Sequence, residues 1–148
     1  MSILPRFPIP AVIAVLVKDD ALLLICRKTP PDVGMWGFPG GKMDFGETMA
    51  QAAVRELCEE TGVVAEAQGV LTVLDSLHKD EAGNLTHHFV ITAIACTWIA
   101  GDPVAADDAA IAEWVPFVEL CDGQRELIFA VDRVARMAME AAGRPCSV

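Results

Sequence analysis

Two runs rich in leucine and β-branched residues, 9–17 and 21–27, lie on either side of the polar triplet Lys18-Asp19-Asp20. Apolar runs of this length bounded by a turn signal predict two strands joined by a hairpin. The first is only nine residues long before the charges begin, too short to cross a bilayer. Arg6 precedes it as it would in a secretion signal, but Pro5, Pro8 and Pro10 and the second apolar run favour a strand. Residues 29–34 carry two prolines and a glycine and read as a loop, which the glycine-bracketed Met35-Trp36 continues. Phe38-Pro39-Gly40-Gly41-Lys42 then predicts a short extended piece running into a glycine turn.

The period changes at Thr48. Thr48 with Gln51 three residues on forms a capping box, and Gly62 stands where a helix C-terminus wants a left-handed residue, so 48–61 is predicted helical. Ala50, Ala53, Val54 and Leu57 mark its core-facing arc. Strands follow at 63–77 and 85–99 around the turn Asp80-Glu81-Ala82-Gly83-Asn84, with a short strand at 112–117. Leu127, Val131, Val134 and Ala138 share one face of a final helix predicted over 124–142, ended by Gly143. Strands outnumber helices, with one helix mid-chain and one at the end. That order predicts an α/β fold in one domain over 1–148, a mixed sheet with helices packed on its faces.

The 148-residue length suits one core, and 53 % apolar residues with 22 % charged ones exclude a disordered chain. A net charge of −10 excludes a polymeric nucleic acid as partner, because nothing basic tracks a phosphate backbone. No membrane partner is expected either. The same acid excess implies cations wherever a phosphorylated small molecule is handled. The cysteines, Cys26, Cys58, Cys96, Cys121 and Cys146, are odd in number and form no CxxC pair. Buried reduced thiols and a cytoplasmic location are the expectation.

On the predicted helix, Glu56, Glu59 and Glu60 fall within about 100° of arc. Such crowding destabilises an isolated helix, and a solvated acidic face is the bland explanation. Against it, Arg55 adjoins the cluster and can orient a glutamate, while Gly40-Gly41 offers bare backbone just upstream. A purely structural protein has no need of the crowding. Oxygen ligands at this density suit a hard cation such as Mg²⁺ or Mn²⁺.

Gly41, Glu47, Arg55-Glu56-Leu57, Glu59-Glu60, Gly62 and Val63 together match the Nudix box at all nine specified positions. The chain therefore resembles the Nudix hydrolases, and residues 36–42 and 45–48 resemble the surroundings of the box in MutT-type members. The resemblance implies an α/β/α sandwich with the box as a loop–helix–loop, and hydrolysis of a nucleoside diphosphate linked to another group. It implies Glu56 and Glu60 as the main metal ligands, Glu59 assisting and a Gly40 or Gly41 carbonyl adding a ligand. Arg55 would orient a glutamate, Glu47 would brace the loop, and Glu56 would be the general base. In some members the base comes from a later loop, which keeps Asp107, Asp108 and Glu113 as candidates beside the plain reading of surface acids.

Two substrates compete. Residues 87–90, 101–103, 107–109 and 113–116 resemble a bacterial ADP-ribose pyrophosphatase subgroup, although the proline about fifteen residues past the box is replaced by Leu77 and His78. The box region favours a MutT-like nucleoside triphosphate pyrophosphohydrolase, yet the only asparagine available to read an oxidised guanine is Asn84, in a turn. Trp36, Phe38, His88, Phe89 and Trp114 are candidate base-stacking residues whose competing task is core packing. Arg27 and Lys28 are candidate phosphate contacts. His87 and His88 alternate across a strand, so one of them at most faces a cleft. A non-catalytic nucleotide-binding module is the reading from another class, and the intact glutamates argue against it. Many relatives are dimers, so a homodimer is an open expectation.

Overall fold

The computed structural model describes residues 6–143; Pro5 and Cys146 lie outside them. The elements in chain order are β1 (Ile9–Lys18), β2 (Ala21–Arg27), β3 (Trp36–Gly37), β4 (Gly40–Lys42), α1 (Met49–Thr61), β5 (Val64–Lys79), β6 (Leu85–Ala100), β7 (Ala109–Pro116), α2 (Phe117–Leu120) and α3 (Val131–Ala141). The strands form one mixed sheet in the order β3-β2-β1-β6-β5, with β4 paired to β1 and β7 to β2. β1 runs parallel to β6, placing Ile13 beside Ala93, and every other pairing is antiparallel.

Period-two alternation along β1 builds both cores. Val12, Ala14 and Leu16 meet Ala52, Ala53 and Leu57 of α1. Val15, with Ile13 and Val17 packed alongside, meets Val131, Val134 and Ala138 of α3 on the opposite face. The result is the expected α/β/α sandwich. The predicted hairpins are observed: Asp80 and Asn84 close the β5–β6 turn through Asp80 N–H to Asn84 C=O (2.9 Å), with Gly83 left-handed.

Phe117, expected at the end of a strand, instead opens the short helix α2, and β7 starts earlier, at Ala109; three further differences have a traceable cause. The last helix starts at Val131 rather than 124, because Trp36 claims the preceding stretch. Trp36 N–H donates to Glu126 C=O at 2.8 Å, and Ile128 N–H donates back to Trp36 C=O at 2.9 Å. Those bonds extend the backbone at Leu127, and Ala130 (φ 69°) then turns it into α3. The same competition makes Trp36–Gly37 a strand paired with Cys26 and Ile25, not loop. The buried face of α1 is Ala52, Ala53, Leu57, Glu60 and Thr61, with Ala50 exposed. The helix is turned so that Glu60 points inward along with Ala52 and Ala53, while Val54 is only half-buried. Among the cysteines, Cys26 and Cys96 are buried as expected, whereas Cys58 and Cys121 are exposed.

Candidate active site

Local chemistry fixes α1 tightly. Thr48 accepts from Gln51 N–H and Gln51 accepts from Thr48 N–H, and Gly62 ends the helix at φ 72° with its N–H on Cys58 C=O. The glutamates are thereby held at set heights along the edge of β4.

Arg55 is the hub of the cluster. Its Nε and Nη2 fork onto Glu47 at 2.6 and 2.9 Å, its Nη1 reaches Glu56 at 2.9 Å and Glu59 at 3.2 Å, and Nη2 also donates to Lys42 C=O at 3.2 Å. Hydrogen bonds from Arg55, aided by the Asp44 amide, hold the Glu47 carboxyl at about 2, well below the usual carboxylate range. The guanidinium is correspondingly pushed up, chiefly by Glu47 and then by Glu56.

Gly41 explains how Glu56 fits. A Cβ on Gly41 would sit 2.6 Å from Glu56 Oε1, so only glycine lets the carboxylate lie against the strand. A Cβ on Gly40 would strike the Val12 carbonyl in the neighbouring strand. Gly40 meets the cluster through its amide, which lowers the Glu60 pKa.

Glu60 is the anomaly. Its side chain is buried at 3 % exposure, and its Oε2 has no hydrogen-bond partner among the described residues. Burial first, then the negative charge of Glu56, pushes its carboxyl up to about 8, with Asp108 adding to the effect. A buried, orphaned carboxylate oxygen beside a second carboxylate is costly unless a cation takes both. Hard oxygen donors fit Mg²⁺ or Mn²⁺. No three His, Cys, Asp or Glu side chains are grouped to hold a metal among the described residues. A Glu56–Glu60 pair would therefore rely on water and substrate oxygens to complete the shell, as Mg²⁺ commonly does.

The titration carries a sign. Glu60 rises from 4.5 when unfolded to about 8 when folded. Its contribution to stability is full below 4.5 and is lost as pH climbs to about 8. Metal-free protein should lose thermal stability between pH 5 and 8, and the stabilisation on adding Mg²⁺ should be larger at pH 8 than at pH 5. Melting curves in chelator and in Mg²⁺ check this, and an equal Mg²⁺ shift at both pH values would refute it.

Glu56 opens into a cleft of about 890 Å³ on the α3 face of the sheet, shared by Gly40, Gly41, Lys42, Arg27 and Asp108. Arg27 lines it, with Nε donating to Pro31 C=O at 2.8 Å. Glu59 lies outside the lining and is reached only through Arg55. Trp36 also lies outside the lining, since its β3 pairing places the ring under the Arg125 guanidinium at 5.0 Å. Of the later acids, Asp108 lines the cleft and accepts from Thr29 Oγ1 at 3.1 Å. Glu113 is bound to Arg125 at 2.8 Å, and Asp107 occupies a left-handed turn (φ 51°) off the lining. His87 lines the cleft, whereas His88 pairs with Asp75 at 2.9 Å.

The fold is an α/β/α sandwich in which Glu56, backed by Gly41, lines the cleft and Glu60 lies buried beside it. The NUDIX domain family matches residues 7–135, and the chain belongs to that family. It is 37 % identical over 107 residues to an ADP-ribose pyrophosphatase of Methanocaldococcus jannaschii, covering 72 % of this chain and 61 % of that one. The chain thus spans less than two thirds of that relative's length. It is 36 % identical over 80 residues to a CTP pyrophosphohydrolase of Escherichia coli, covering 53 % of this chain and 57 % of that one. The crystal structure of a MutT NUDIX hydrolase from Burkholderia pseudomallei superposes with a TM-score of 0.75 at 30 % identity, over 89 % of this chain and 98 % of that one. No helix among the described residues is long and apolar enough to cross a membrane.

Proposed function

We propose that this protein is a divalent-metal-dependent pyrophosphohydrolase that converts ADP-ribose into AMP and ribose 5-phosphate. The observation that carries the hydrolytic reading is the orphaned Oε2 of Glu60, buried off the cleft lining behind Glu56, which itself lies against Gly41 at the glycine-backed end of the cleft. The name of the archaeal relative supports the substrate. Glu56 and Glu60 hold the metal, with Mg²⁺ as first choice and Mn²⁺ as second. Bound there, the ion supplies charge neutralisation on the diphosphate oxygens and a more acidic water.

The chain's own residues do the rest. A water oxygen bonds to phosphorus as the bridging P–O bond breaks, and Glu56 takes the proton the water gives up. Arg55 keeps the Glu56 carboxylate aimed, and Glu59 steadies Arg55. Asp108 is the alternative base, because it also lines the cleft and its charge reaches Glu60. Arg27 and the backbone at Gly40 and Gly41 contact the phosphates. With the surface so acidic, these local cations and amides let an anion approach.

The second reading is a nucleoside triphosphate pyrophosphohydrolase, favoured by the resemblance to the Escherichia coli CTP enzyme. A panel of ADP-ribose, NADH, diadenosine polyphosphates and nucleoside triphosphates, with Mg²⁺ and with Mn²⁺, separates the two. AMP and ribose 5-phosphate released from ADP-ribose faster than any triphosphate reacts is the expected result. Faster pyrophosphate release from a triphosphate replaces the substrate assignment. Tight binding without turnover makes the protein a binding module.

A further inference from the structure

The β5–β6 hairpin outruns the strand beside it. β1 begins at Ile9, opposite Phe89 of β6, so the rung beyond has no third strand among the described residues. That rung is a pair of histidines, His78 of β5 opposite His87 of β6. Both line the cleft, whereas His88 pairs with Asp75 off the lining. Directly opposed residues hold their Cβ atoms about 5 Å apart, close enough for two side chains on one face to share a ligand.

Both rings are held in place. His87 stacks on Phe89 with planes 4° apart and centroids at 5.6 Å, and His78 meets the same ring edge-on at 5.7 Å. His78 Nε2 lies 3.1 Å from Ser76 Oγ. In the tautomer whose Nε2–H donates to that hydroxyl, Nδ1 carries a bare lone pair. An oxygen that takes one ring proton and frees the other nitrogen is the usual setting of a metal-binding histidine.

Donor chemistry and distance separate this rung from the glutamates. Imidazole nitrogen suits Zn²⁺, Ni²⁺ and Cu²⁺, whereas carboxylate oxygen suits Mg²⁺. Glu56 lies against Gly41, in the row of Val12 and Thr92, and His87 is five residues along β6 from Thr92, about 16 Å away. One ion cannot serve both places. The acids of the lining are committed elsewhere. Asp44 and Glu56 pair with Arg55, while Asp32 follows β2 and Asp108 precedes β7, toward the opposite edge of the sheet. Lys79 lines the cleft beside the histidines, so an ion there keeps water or an anion on its open positions.

We propose that His78 and His87 form a second metal site, for a borderline divalent ion such as Zn²⁺, separate from the hard-cation site at Glu56 and Glu60. The pair supplies two nitrogens and leaves the remaining tetrahedral positions to solvent or an anion. The site requires nothing of the substrate assignment and stands whether or not the protein hydrolyses ADP-ribose.

The test is calorimetric titration of ZnCl₂, with Mg²⁺ in excess to hold the carboxylate site, into wild type, His78→Gln, His87→Gln and His88→Gln. Wild type should take up one Zn²⁺ with a Kd in the micromolar range. His78→Gln and His87→Gln should each weaken that binding at least about tenfold, and His88→Gln should leave it unchanged. Melting curves confirm that the variants fold. NMR of the wild type gives a readout that needs no variant, because the chain has three histidines. The ring signals of His78 and His87 should shift with Zn²⁺ while those of His88 stay. Wild-type binding weaker than millimolar, or affinity retained in both His78→Gln and His87→Gln, overturns the site. So does an equal loss in His88→Gln, which would place the ion elsewhere on the hairpin. The expected zinc results in a protein that turns over no nucleotide leave the site standing and remove the hydrolase reading alone.

Discussion

Glu56→Gln and Glu60→Gln should each lower kcat by at least about a hundredfold, the scale on which removing a proton acceptor or a metal's charge partner acts. Neither change should unfold the protein. Glutamine keeps the volume of glutamate and removes the charge, and at Glu60 that charge is buried with an oxygen left unpaired. Glu60→Gln should therefore melt higher than wild type in chelator at pH 8, where the wild-type carboxyl is partly ionised. In Mg²⁺ the order should reverse, since only the wild type gains from the ion. Activity assays, Mg²⁺ titrations and melts at pH 8 examine all three statements. Near-normal turnover in both variants would remove the metal assignment. A Glu60→Gln protein that melts lower than wild type in chelator would show that the carboxylate is stabilising by itself.

This opposition of stability and activity is characteristic of sites whose residues serve a ligand rather than the fold. It also accounts for how much of the site was legible in the sequence. Glu56, Glu59 and Glu60 all lie within one helical arc, and spacing alone treats them as equals. The structure separates them: Glu60 turns inward under β4, Glu56 lies against Gly41, and Glu59 is held at the surface by Arg55. The difference arises from where β4 crosses the helix, a tertiary contact with no local signal. The burial of Glu60 and the exposure of Ala50 show the same limit, because hydrophobicity alone assigns the alanine inward and the glutamate outward.

Local signals worked where local physics decides. The Thr48–Gln51 capping box, the Gly62 cap and the Asp80–Asn84 turn stand as their side chains predict. The strand alternation of His87 and His88 was legible too, and it puts only His87 on the cleft. Residues 124–130 failed for the opposite reason. Their helical periodicity is real, but two backbone bonds to Trp36 outweigh it, and no sequence rule couples residues about ninety positions apart. The same pairing removes Trp36 from the cleft and supplies Phe129, which the periodicity had placed inside a helix.

Replacing Arg55 by lysine should cost about ten- to a hundredfold in kcat/KM, the usual consequence of losing the groups that orient a metal's ligands. Lysine retains the positive charge but not the fork, and Arg55 uses Nε and both terminal nitrogens at once. A single ammonium cannot hold Glu47, Glu56 and Glu59 in their present directions. The Glu56 carboxylate would then sample orientations in which it faces neither metal nor water. A pH-dependent signature separates this from simple damage to the fold. Glu47 falls from 4.5 unfolded to about 2 folded because Arg55 holds it. Stability from that pairing is present above 4.5 and is lost as pH drops toward 2. The melting temperature of Arg55→Lys should thus lie below that of wild type at pH 6, with the gap narrowing between pH 5 and pH 2. A gap that stays constant across that range would mean that the Arg55–Glu47 fork contributes nothing to stability, and that any loss of activity arises at Glu56 alone.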